Sequence, residues 1–216
     1  MSLLGRDEDE AAARTPTRIQ AANRELILEA ALPVFSAHGF KGATLDEIAR
    51  AASMSKPNLL YYFRRKQDIY AAVLERTLEA WLAPLEALDP AGDPVAELTR
   101  YIRAKMRLSA RKPEASRLFA NEILHGAPVV GGFLKTRLKT LVEEKAAVLS
   151  RWMENGKLAR VDPVHLVFMI WAMTQHYADF EVQVRAILGP RADARDFAEE
   201  AAEAVIAIVL GGVRPR

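Results

Sequence analysis

Apolar residues recur at three- and four-residue spacing along nearly all of this 216-residue chain, and strand-like alternation is absent. Such a chain folds as helices that each bury one face. Caps and prolines mark where they start: Thr44-x-x-Glu47 has capping-box form, Ser55 precedes Pro57, and Asp93-Pro94 and Asp162-Pro163 repeat the cap-plus-proline signal. These signals predict about nine helices, at residues 18–37, 44–53, 55–62, 66 to 82 or beyond, 93–109, 114–124, 133–155, 163–179 and 194–210. Pro33 predicts a kink in the first, and Gly39 its end. Pro84 is expected to kink or end the fourth. Gly156 and Gly211-Gly212 are expected to stop the seventh and ninth. The expected class is all-α: a flexible or disordered arm at 1–17, a three-helix unit at 18–66, and a helical body at 67–216.

Composition removes several functions. There is no cysteine, so a disulfide scaffold, a thiolate metal site and a cysteine nucleophile are excluded. His38, His125, His165 and His176 show no metal-ligand spacing. No nucleophile–base set or phosphate-cradling glycine loop is visible, so neither an enzyme nor a bound cofactor or metal is expected. The first residues carry an acidic run, Asp7 to Glu10, unlike a targeting segment. The longest apolar run, 201–213, contains Glu203 and is too short to span a bilayer. A soluble, cytoplasmic protein without membrane contact is expected. Charge is unevenly spread: residues 14–66 hold nine Lys/Arg against four Asp/Glu, while 67–216 balance at twenty each. A basic segment on a neutral body suits a polyanion.

That segment contains two short helices joined by the tight turn Ala52-Ser53-Met54-Ser55, the geometry of a helix-turn-helix. In such a unit the second helix enters the major groove. Leu45, Ile48, Ala49, Met54, Leu59 and Phe63 can pack the pair against the first helix. Thr44, Ser55, Lys56, Asn58, Tyr61, Tyr62 and Lys66 then remain for phosphate oxygens and base edges. Arg64-Arg65-Lys66 opens the next helix, whose N-terminus favours phosphate. Spacing alone leaves a plain helical hairpin open, in a scaffold or protein-binding module without DNA contact.

The pattern Thr44-x-x-x-Ile48-Ala49-x-x-Ala52-Ser53-Met54-Ser55-x-x-x-Leu59-x-Tyr61-Tyr62-Phe63-x-x-Lys66-x-x-Ile69 resembles the signature of TetR-type bacterial transcriptional regulators. Ile27-x-x-Ala30-Ala31-x-x-x-Phe35-x-x-x-Gly39-Phe40-x-Gly42 extends it upstream. Ser53 departs from it, the family usually having glycine there; serine fits if the turn does not need a positive φ. Trp81-Leu82-Ala83-Pro84-Leu85, Ala115-Ser116-Arg117-Leu118-Phe119, Gly156-Lys157-Leu158-Ala159 and Ile170-Trp171-Ala172-x-Thr174-Gln175-His176-Tyr177-Ala178-Asp179-Phe180 are similar to the pyrimidine-utilisation branch of that family. The resemblance implies a homodimeric regulator, most often a repressor, on a pseudo-palindromic double-stranded DNA operator. It also implies a small effector in each body, here a pyrimidine base such as uracil or thymine.

The body can be read beside this. The eighth helix is apolar almost all round, so it is buried on more than one side. Trp171, Gln175 and Asp179 share a face on it. An indole beside a carboxamide could stack on and hydrogen-bond a flat heterocycle with amide edges. Trp81, on the long fourth helix that joins head to body, is a further candidate wall. Ala201, Val205 and Ile208 mark an apolar face of the ninth helix as a candidate dimer surface.

Overall fold

In the computed structural model, residues 18–215 are described, and ten helices account for most of them. The arm expected at 1–17 lies outside them. α1 (Arg18–Gly42), α2 (Leu45–Ala51), α3 (Lys56–Tyr62) and α4 (Lys66–Glu86) come first. α5 (Pro94–Arg111) and α6 (Pro113–Leu124) follow. α7 consists of Gly131–Phe133, a π-helical stretch at Leu134–Leu138, and Lys139–Glu154. α8 (Pro163–Asp179), α9 (Glu181–Leu188), a 3₁₀ turn at Gly189–Asp193, and α10 (Phe197–Val213) complete the chain.

The cap signals act as expected. The Thr44 hydroxyl accepts from the Glu47 amide (3.2 Å), and the Glu47 carboxylate accepts from the Thr44 amide (2.9 Å). Asp93 and Asp162 cap α5 and α8 by accepting from Ala96 and His165. Several boundaries differ from the sequence reading. Gly39 (φ 65°, ψ 176°) breaks the helical backbone where the first helix was expected to stop, and a further helical turn follows it to Gly42. α4 runs past Pro84 to Glu86, and α10 runs through Gly211-Gly212 to Val213. The segment between α8 and α10 forms an extra helix, α9, making ten instead of nine.

Two apolar cores meet along α4. The first gathers Ile27, Ala31 and Phe35 of α1, Ile48 and Ala49 of α2, Leu59 of α3, and Ile69, Val73 and Leu74 of α4. It continues into Ala115 and Leu118 of α6 and Val130, so α6 packs on α1 as part of the head's support. The second core joins Leu82 and Leu85 of α4 with α5, α7, α8 and α10. No helix among the described residues is long and apolar enough to cross a membrane.

Candidate nucleic-acid interface and effector site

α2 and α3 pack on α1 through the buried Ile48, Ala49, Ala52, Leu59 and Phe63. This leaves the outer side of α3 to solvent, where Lys56, Asn58 and Tyr61 are all exposed. The turn closes α2 with a Schellman pair: the Met54 amide donates to the Ala49 carbonyl (2.9 Å) and the Ser53 amide to the Arg50 carbonyl (3.0 Å). Ser53 therefore sits at φ 54°, so the turn does need the positive φ that glycine usually supplies there, and serine adopts it.

The candidate DNA contacts divide by how each side chain is already used. Thr44 and Ser55 cap α2 and α3 while remaining exposed. The Lys56 ammonium pairs with Asp46 (2.9 Å), an exposed pair that is weak in water and can exchange for phosphate. Lys66 donates to the carbonyls of Ala43 (2.6 Å) and Lys41 (3.4 Å) and lies over the Phe40 ring. Two of its three N–H donors thus tie α4 to the end of α1, leaving one for a phosphate. Tyr62 is half-buried: its hydroxyl accepts from Asn23 (2.7 Å) and its carbonyl from Arg24 (2.9 Å). It braces α3 against α1, which corrects its placement among freely exposed contacts. Lys41, Arg50, Arg64 and Arg65 add exposed cations to the same unit.

In the body, the four candidate effector residues do not line one cavity. Gln175 and Asp179 line a groove of about 570 Å³ between α6 and α8, bounded also by Arg117, Phe119 and Asn121. Trp81 lines a separate pocket of about 270 Å³ between α4, α1 and the end of α5. Trp171 donates its indole N–H to the Tyr101 hydroxyl (2.7 Å), which fixes both rings in the body's core.

What connects the two sides is a residue the sequence reading missed. Lys105 of α5 is only 3% exposed, and its ammonium lies 4.6 Å from the centre of the Trp81 ring. Burial lowers its pKa to about 8, against the opposing pull of Asp179. Burial likewise raises the Asp179 carboxyl above its ordinary value, opposed by a hydrogen bond from the Ser116 hydroxyl and by Arg117, Lys105 and His176. Trp81 also meets Phe119, a wall of the Gln175 groove, edge to face at 5.7 Å. A buried cation, a half-buried carboxylate and an indole face thus stand together where α4, α5, α6 and α8 converge.

The candidate dimer surface needs correcting. Val205 is 4% exposed and Ala201 is also buried, both within the chain's own core with α5 and α8. Ile208 is 62% exposed and alone of the three remains on the surface. Exposed Phe168 and Met169 on α8 add apolar area.

Comparison with known proteins agrees with this architecture. The model for bacterial regulatory proteins of the tetR family matches residues 27–73, and that for the C-terminal region of YcdC-like proteins matches 74–216. The chain is 47% identical over 200 residues to the HTH-type transcriptional regulator RutR of Escherichia coli K12, covering 93% of this chain and 94% of that protein. It is 32% identical over 149 residues to the HTH-type transcriptional repressor NicS of Pseudomonas putida, covering 67% and 68%. Among solved structures, SCO4942 of Streptomyces coelicolor superimposes with a TM-score of 0.71 at 27% identity, covering 90% of this chain and 99% of that one.

Proposed function

The chain belongs to the tetR family of bacterial regulatory proteins, and from that premise we propose that it is a cytoplasmic, homodimeric repressor whose operator affinity is set by a pyrimidine base such as uracil or thymine. It is a DNA-binding transcriptional regulator by family. The unit at 18–66 carries the DNA contacts, and the body at 67–216 takes the effector and the second subunit. Thr44, Ser55, Lys56, Asn58, Tyr61 and the remaining donor of Lys66 face the duplex.

One observation carries the effector reading: Lys105, Asp179 and Trp81 are brought together at the junction of four helices. A flat ring with amide edges offers carbonyl oxygens to an ammonium, N–H groups to a carboxylate or carboxamide, and a π face to an indole. Uracil and thymine have this alternation, and Gln175 beside Asp179 adds a donor and an acceptor. Trp171, its N–H committed to Tyr101, holds the wall. α4 links this junction to the head, so a ligand that favours one tilt of α4 shifts the spacing of two recognition helices.

Titration calorimetry of uracil and thymine into the wild type, Lys105→Met and Gln175→Leu tests the reading. Each substitution leaves a polar edge of the ring unpaired, at a loss of about 1–3 kcal/mol, or roughly 5- to 150-fold in affinity. Operator binding without ligand should persist in both variants. A wild type that binds neither base rejects the pyrimidine class while leaving the regulator assignment intact.

A further inference from the structure

A second cavity, of about 160 Å³, lies between α5, α8, α9 and α10, and shares no lining residue with the Gln175 groove. α8 turns Thr174, Tyr177 and Ala178 toward it, while Gln175 and Asp179 line the other side. Its wall is mostly apolar, with Met106 and Val184 among the contributors. One polar atom in it stands out. Ser109 is buried, lines the cavity, and its hydroxyl is the buried side-chain polar atom without a hydrogen-bond partner among the described residues. Two neighbouring polar side chains have partners: Thr174 donates to the Ile170 carbonyl (2.8 Å), and Glu181 accepts from Arg185 (2.8 Å) and Arg117 (2.9 Å). An orphaned buried hydroxyl is a standing cost that a ligand atom would remove.

We propose that this cavity is a second small-molecule site, distinct from the pyrimidine junction, for a compact uncharged ring compound bearing one hydrogen-bonding group. The volume sets the size, since an apolar cavity of about 150 Å³ accepts benzene. The lining sets the polarity: Glu181 and Arg185 neutralise each other at the wall, so a charged ligand would be desolvated without a counter-ion. Ser109 supplies the partner for the single polar group. A polypeptide segment is too large for such a volume.

The probe is 4-fluorophenol, titrated into the full-length protein and followed by ¹⁹F NMR. The wild type should show saturable binding that excess uracil does not displace. Ser109→Ala should weaken it about 2- to 10-fold, the worth of one hydrogen bond. That variant removes an unsatisfied hydroxyl and so keeps the fold. Ala198→Phe, at an exposed position of the lining, should fill the space and abolish binding. Non-saturable binding in the wild type, displacement by uracil, or unchanged affinity in Ala198→Phe would each overturn the proposal.

Discussion

Ser53 occupies the position after α2 where the backbone must turn left-handed, at φ 54°. The equivalent closures after α6 and in the turn after α7 use Gly126 (φ 88°) and Gly156 (φ 69°) with the same paired amide bonds. A side chain there costs about 1–2 kcal/mol, partly offset because glycine is more disordered when unfolded. Ser53→Gly should therefore stabilise the protein by roughly 0.5–1 kcal/mol, seen as a thermal midpoint about 2 °C higher. Lys105 gives a second test at this scale. Its folded pKa lies below its unfolded one, so the unfolded chain binds the extra proton between about pH 8 and the usual lysine range. The cost of burying the ammonium is complete below that window and is relieved as pH rises through it, so stability rises with pH. Urea midpoints of wild type minus Lys105→Met should climb across this window; a flat difference would mean that the lysine titrates alike in the folded and unfolded chain and that burial does not depress its pKa. Lys105 was legible in principle, because it falls in the stripe Leu98, Tyr101, Ile102, Met106 and Ser109 that α5 buries. A lysine at a core register was the signal. Its partners Trp81 and Asp179 come from distant helices, and no spacing along the chain announces their meeting.

Among the elements, α6 binds head to body. Glu122 near its end is buried, and its carboxylate accepts from the amides of Val129 (2.6 Å) and Val130 (3.2 Å) and from the Tyr70 hydroxyl of α4 (3.2 Å). One side chain thus holds the 125–130 loop and the head's long helix together. Glu122→Ala would leave two amides without partners, and the urea midpoint should fall by the equivalent of about 1–3 kcal/mol. Glu122→Gln, which still accepts through its carbonyl, should lose less. Equal losses would assign the effect to charge instead of to the orphaned amides. Elements with strong caps, α2, α3, α5 and α8, were legible from local chemistry because the cap residue and proline act on their own backbone. α9 was not: it is eight residues long, buries only Val184, and lies before Gly189-Pro190, which reads as a loop. The π-helical stretch in α7 likewise leaves the apolar spacing intact and so gives no separate sign. Gly211 and Gly212 misled in the other direction, since glycine permits a helix end without imposing one.

For the whole molecule, the question is which apolar surface is left after each chain has folded. Ala201 and Val205 carry the same hydrophobic spacing as Ile208, and the sequence could not say which face α5 and α8 would claim. The fold settles that division: Val205 is 4% exposed and Ile208 is 62% exposed. The apolar surface near the chain's end is then Ile208 on α10 with Phe168 and Met169 on α8, and a two-fold axis would bury it against its own copy. The two substitutions should separate cleanly. Val205→Asp places an unpaired charge in the chain's own core, so it should lose cooperative folding by circular dichroism. Ile208→Asp leaves that core intact and charges only the outer face, so the helical signal and thermal transition of the subunit should remain. In sedimentation equilibrium it should run as a monomer near 24 kDa where the wild type runs at twice that mass. Operator affinity should fall with it, because a single head spans one half-site and the second contact set is lost. A folded Ile208→Asp protein that stays dimeric would move the two-fold contact away from α10.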